Sequence, residues 1–231
     1  MFYKAVTAAM AMAALSTSVS AQQFAGGELT IDAYSYDESG FDSTVDYSVA
    51  LEYATNRDIG FAFDLAHYDF SLNDDSVTTF TIHSIYHLND QSSVGFIVGN
   101  DIGDDGIGTF YGFEGGFEAN GFNGEGYFAI YDNDANSTVL GLSGAYQITD
   151  SVSAIADFGF GDLDSGDITR ISAGAEYDFT NGPTVYAEIG NVDLDVASST
   201  FIGIGASVQF GAERGTTFDR RGAFETLIPG N

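Results

Sequence analysis

The chain has 231 residues, with 34 Asp and Glu against six Lys and Arg, a formal charge of −28, and no cysteine. That balance excludes a nucleic-acid partner, because phosphate binding needs a basic surface, and the cysteine count excludes disulfides and thiolate metal sites. With 20 Phe, 13 Tyr, 29 Gly and two Pro, the chain is rich in strand and turn formers and poor in helix signals, an all-β composition.

Residues 1–21 open with Lys4, run through the apolar stretch Ala5 to Leu15 and end Val19-Ser20-Ala21. A charged start, a short apolar core and small residues before the cleavage point predict a secretory signal peptide. The stretch is too short to cross ~30 Å of hydrocarbon as a helix, and no later run approaches ~20 unbroken apolar residues, so a helical membrane protein is excluded. The mature chain, from Gln22, is expected to be exported and to hold every base but Lys4.

From there the pattern has period two. Twelve strands are predicted near 28–36, 44–53, 59–70, 77–88, 93–99, 109–118, 125–131, 138–148, 152–160, 168–179, 184–190 and 199–210. Val45, Tyr47, Val49, Leu51 and Tyr53 alternate with Asp46, Ser48, Ala50 and Glu52; Ile171, Ala173, Ala175, Tyr177 and Phe179 alternate with Ser172, Gly174, Glu176 and Asp178. One face of each strand therefore meets apolar material and the other a polar medium. The connections also alternate. Segments 37–43, 71–76, 100–108, 132–137, 161–167 and 191–198 hold fifteen acids and no base, whereas Thr149-Asp150-Ser151 and its counterparts are tight turns.

The last segment, Ile202-x-Ile204-x-Ala206-x-Val208-x-Phe210, is apolar at every second residue and stops on an aromatic. It resembles the closing strand of a Gram-negative outer-membrane β-barrel, and residues 28–210 resemble the outer-membrane barrel and porin superfamily. The resemblance implies an antiparallel transmembrane up-and-down β-barrel of about 12 strands, set among outer-membrane lipids with both termini in the periplasm. The boundaries read 1–21 signal peptide, 22–210 barrel and 211–231 periplasmic C-terminal extension. Tyr53, Phe61, Tyr86, Phe96, Phe117, Phe128, Tyr146, Tyr177, Phe179 and Phe210 would form the aromatic girdle at the periplasmic edge. Such barrels usually end on the terminal aromatic; here 21 residues follow Phe210. A soluble sandwich would want the same aromatics, but nothing in the chain could cover its second face.

On the inward parity fall Asp32, Asp46, Glu52, Asp64, Glu114, Glu118, Glu125, Asp157, Glu176, Asp178 and Glu188, against Arg170 as the one base. Uncompensated charges are prohibitive in a dry interior, so the lumen is expected to be wet. Inward glycines at 60, 95, 99, 112, 141, 174, 203 and 205 would leave it space, and twelve strands enclose more room than eight. A wall lined with one sign of charge concentrates the opposite ion. The expected function is thus a porin-like diffusion channel for small cations or small hydrophilic solutes. The alternative is a structural or adhesive barrel with a closed lumen and acidic loops that bind divalent ions.

Signals for catalysis are poor, and no enzyme is expected. His83 and His87 share a strand face about 13 Å apart, too far for one metal; His83 and Ser84 are adjacent and point to opposite faces, which rules out their working together as a serine–histidine pair. Asp132-x-Asp134-x-Asn136 begins like a calcium loop but lacks its Gly and Glu. No cofactor is expected beyond weakly bound calcium or magnesium at Asp101, Asp104 and Asp105 or at Asp162, Asp164 and Asp167. The tail from Gly211 carries Arg214, Arg220 and Arg221. It reads as a loose extension, as terminal segments usually are; the competing reading draws its bases into the acidic mouth as a partial plug, with Phe218, Phe224, Leu227 and Ile228 packed on the wall.

Overall fold

The computed structural model describes residues 24–38, 41, 43–71, 75–103, 106–132, 137–164, 166–180, 182–195, 197–211 and 216–227. The segment read as a signal peptide lies outside them. Twelve strands run β1 Phe24–Tyr36, β2 Thr44–Ala54, β3 Ile59–Phe70, β4 Ser76–Asn89, β5 Ser92–Gly103, β6 Gly106–Ala119, β7 Phe122–Asp132, β8 Thr138–Thr149, β9 Val152–Leu163, β10 Gly166–Asp178, β11 Thr184–Leu194 and β12 Ala197–Phe210. A five-residue helix, α1, follows at Ala223–Leu227. Each strand pairs antiparallel with its chain neighbours, and β1 pairs with β12 from Gly27↔Phe210 to Tyr36↔Phe201, which closes the barrel and removes every sheet edge.

Alternation sets the two faces. On β3, Phe61, Phe63 and Leu65 are exposed outward, while Ala62, Asp64 and Ala66 between them are buried. Phe113 is 69% exposed and Ile202 59%, values that fit a lipid-facing wall and no aqueous one. Tyr86, Phe96, Phe117, Tyr146, Tyr177 and Phe179 stand outward as the girdle requires, and Phe24 meets Tyr53 edge-on (centroids 5.6 Å) and stacks on Phe210 across the seam (6.1 Å). At the short-turn rim Asn120 and Gly121 both take positive φ (54° and 77°), the two-residue hairpin that an Asn-Gly pair favours.

The loop rim differs from expectation. Segment 100–108 is mostly ladder, since β5 runs to Gly103 and β6 starts at Gly106; 161–167 and 191–198 likewise shrink to the two residues between their strands. Asp167 pairs across from Asp162 and Asp193 from Ser198. Beyond the bilayer both faces of a strand meet water, so the apolar half of the alternation vanishes and the strand ends cannot be read from it.

Candidate functional site

The inward face holds Asp32, Asp46, Glu52, Asp64, Glu114 and Glu188 buried, Glu125, Asp157 and Glu176 half-buried, and Glu118 and Asp178 exposed near the short-turn rim. What faces them corrects the expectation of a loose extension and a wet, uncompensated lumen: residues 216–227 lie inside the barrel.

The segment enters from the short-turn rim. Gly211, at φ 104°, turns the chain out of β12 against Gly26 and Phe24. Thr217 donates from its amide and hydroxyl to the two carboxylate oxygens of Glu52 (2.6 and 2.9 Å). Phe218 is buried with Ala62 and Ile85. Arg220 and Arg221 follow. Arg220 Nη2 donates to Asp32 (2.8 Å), with Asp46 3.4 Å from Nη1 and Glu225 at 3.1 Å. Arg221 Nε donates to Glu114 (2.9 Å), and both of its terminal nitrogens donate to Glu125 (3.1 Å each). Its guanidinium lies 5.0 Å from the Tyr127 ring centroid and 5.7 Å from that of Phe218.

Higher up, Tyr127 OH donates to Gly222 O (3.0 Å) and also contacts the Thr226 hydroxyl, while the Ala223 amide donates to Tyr131 OH (2.6 Å). Gly222, at φ 148°, lets the chain turn into α1 where a Cβ would press on Thr79 and Asp101. Phe224 sits against Tyr68 and Phe70, and Leu227 is fully buried with Val139, Ile168, Val192 and Phe201. The interior is therefore layered: an aromatic plug at the turn rim, an ionic middle, and an apolar cluster toward the loop rim. A cavity of about 80 Å³ remains beside the segment, lined by Asp157, Arg170, Arg220 and Glu225 among others.

The glycines do not leave open space either. Neighbouring rings fold across them: Phe110 over Gly99, Tyr127 over Gly141, Phe201 over Gly190 and Tyr34 over Gly203. A residue without a side chain on a pleated wall is where the next strand's aromatic lies flat, so an inward Gly signals a ring to be housed as readily as a channel.

His83 takes part in neither the metal nor the hydrolase chemistry that the sequence raises for it; it belongs to the ionic layer. It is fully buried, with Nε2 2.7 Å from Asp64 Oδ2 and Nδ1 2.7 Å from Glu114 Oε1. An imidazolium would satisfy both contacts by donating from each nitrogen, so the site is built for a histidine between two acids. The wall's other buried basic residue is Arg170, bonded to Glu188 (2.9 Å) and lying under the Phe201 ring. Parity could have found His83: it follows Val77, Thr79 and Thr81 on the inward face of β4.

Among the weak metal candidates, Asp101 is no loop ligand. It is buried, accepting from Thr79 (2.5 Å) and Tyr131 (2.9 Å). Asp104, Asp105 and the middle of the 132–137 segment lie outside the described residues, and Asp162, Asp164 and Asp167 are exposed on the loop rim. Among the described residues no group of three His, Asp or Glu is placed to hold a metal ion.

No protein-family model and no curated protein matches the chain. Solved structures do. The KdgM porin in complex with disordered oligogalacturonate is similar at TM-score 0.62 and 11% identity, over 79% of this chain and 99% of that one. The NanC porin gives 0.61 and 11%, over 78% and 98%. The chain has the fold of an outer-membrane porin barrel. An outer-membrane channel from Pseudomonas putida F1 is similar at TM-score 0.53 and 12% identity, over 81% of this chain and 96% of that one. Identities this low establish a shared wall architecture and leave the lumen to be read from its own residues.

Proposed function

We propose that the chain is an outer-membrane, porin-like channel for small cations or small hydrophilic solutes, and that its own segment 216–227 closes it. One observation carries the reading. The wall presents acidic side chains to a segment covalently held at one end, with Asp32, Asp46, Glu114 and Glu125 facing Arg220 and Arg221. A permanently closed interior is made at lower cost from apolar side chains of the same volume, because buried ion pairs recover little more than their desolvation. A wall that meets water when the segment leaves has use for its charges. Acids then outnumber Arg170 and His83 along the lumen, which favours cations.

The second reading, a structural barrel with a closed lumen, is favoured by the apolar cluster around Leu227 at the loop rim. Planar-bilayer recordings separate the two. The channel reading expects ion conductance that rises when the segment is removed after Phe210, with a reversal potential in a KCl gradient showing K⁺ preferred over Cl⁻. Silence from a correctly folded barrel in both forms would establish the structural reading; equal permeability would remove the cation preference and leave the channel.

A further inference from the structure

Arg220 and Arg221 are adjacent, yet their side chains reach nearly opposite walls: Asp32 and Asp46 on β1 and β2, Glu114 and Glu125 on β6 and β7. Each clamp has features shaped for a guanidinium. On β6–β7 three of its nitrogens are engaged, Nε by one carboxylate and both terminal nitrogens by the two oxygens of another, and the Tyr127 face covers the plane. On β1–β2 the tail satisfies the clamp incompletely. Asp46 is 1% exposed at its side chain, its Oδ2 meets Arg220 at 3.4 Å, and its Oδ1 has no hydrogen-bond partner among the described residues. A buried carboxylate oxygen left unpaired beside a cation is a costly arrangement for a wall built only to hold this tail.

We infer that the two carboxylate clamps form a lumen binding site for a small guanidinium-bearing cation, with Arg220 and Arg221 occupying it as tethered stand-ins. The inference deepens the channel reading and rests on it, since a solute must reach the lumen to use the site. Tethering at Phe210 gives the tail an effective concentration on the order of millimolar, so a free solute competes only when it reaches similar levels or when the arginines are gone. Binding of the solute and seating of the tail are then mutually exclusive, and the site would couple solute level to opening.

The test is calorimetric titration of the full-length, micelle-folded chain with agmatine, which carries a guanidinium and an ammonium, and with cadaverine, a diamine of similar length and charge. In the Arg220→Ala/Arg221→Ala chain, agmatine should bind saturably, about tenfold more tightly than cadaverine and at least about tenfold more tightly than to the unmodified chain. Adding Asp32→Asn, Asp46→Asn, Glu114→Gln and Glu125→Gln, which removes both clamps, should abolish the preference. Should the double variant not fold, as judged by heat-modifiable gel mobility, Arg221→Ala alone vacates the β6–β7 clamp and is held to the same criteria. No saturable binding, or equal affinity for both ligands, overturns the inference, the latter leaving a nonselective acidic sink. Because binding is read without conduction, a variant that conducts but does not discriminate fails this inference alone, and one that discriminates but never conducts fails the channel reading.

Discussion

The wall and the tail of this molecule are held by different physics. Each wall residue meets one medium, lipid or lumen, and its strand is fixed by main-chain bonds to both neighbours. The tail has no ladder. Its described residues hold position through side chains, two arginines, two phenylalanines, a leucine and a threonine seated in pockets that only the closed barrel creates, and through scattered main-chain bonds to wall side chains such as Glu52, Tyr127 and Tyr131. A ladder is lost only with the fold, whereas a set of side-chain contacts is removable while the wall stands.

The largest effect should come from removing the tail outright. Truncation after Phe210 restores an aromatic terminus and leaves every strand pair intact, so the barrel should still fold. Its conductance should rise more than with any point change, through loss of the chain that fills the ionic layer. If conductance in a folded barrel does not change, the tail and the wall are one structural unit and the distinction between them falls.

Next is Arg221→Ala. Arg221 is 4% exposed at its side chain and serves Glu114 and Glu125, so its removal leaves two carboxylates facing no guanidinium in a desolvated layer. Breaking such a network costs about 3–5 kcal/mol. The cost should fall on tail docking, not on the wall: hydrogen exchange at the Thr217 and Ala223 amides should speed up while β-strand protection persists. Parallel loss of both would show that the tail is needed for the barrel itself.

A charge placed on the wall tests the other region. Arg at Val49, which faces lipid, should cost about 2–4 kcal/mol of folding stability in bilayers. Arg at Thr30, inward and flanked by Glu28 and Asp32, should cost less, because carboxylates meet it. Sites that simple parity would call tolerant are not all so. A Cβ at Gly174 would run into Ala187 O and press on Glu188, so a substitution there reports on strand spacing and not on the lumen.

This division also explains what could be read from sequence. Strand number and facing were legible because hydrophobic alternation reports which medium each side chain meets, even in the glycine-rich β6. The eleven inward acids were legible for the same reason. The position of residues 216–227 was not: twelve residues with no sustained period and one short helix carry no local signal. Their conformation is set by partners as distant in sequence as Asp32, 188 residues from Arg220. The only sequence hint was charge, three arginines gathered behind an acidic barrel, and the looseness usual of terminal segments outweighed it, so the tail read as a loose end with the plug as the competing reading.

The smallest expected effect isolates location from chemistry. Arg57 and Asp90 form an ion pair as short as that of Arg220 and Asp32, 2.8 Å in each case, but at the short-turn rim with side chains 80% and 83% exposed. Water solvates both groups whether or not they meet, and two long flexible side chains lose entropy when held together, so the pair adds almost nothing to the fold. Arg57→Ala should leave thermal stability, tail protection and conductance unchanged within error, while Arg220→Ala, which deletes the same chemistry from the lumen, should speed exchange along the tail. Equal effects from the two substitutions would mean that the lumen around Arg220 is hydrated enough to behave as surface. The ionic layer would then be an open aqueous path even with the tail in place.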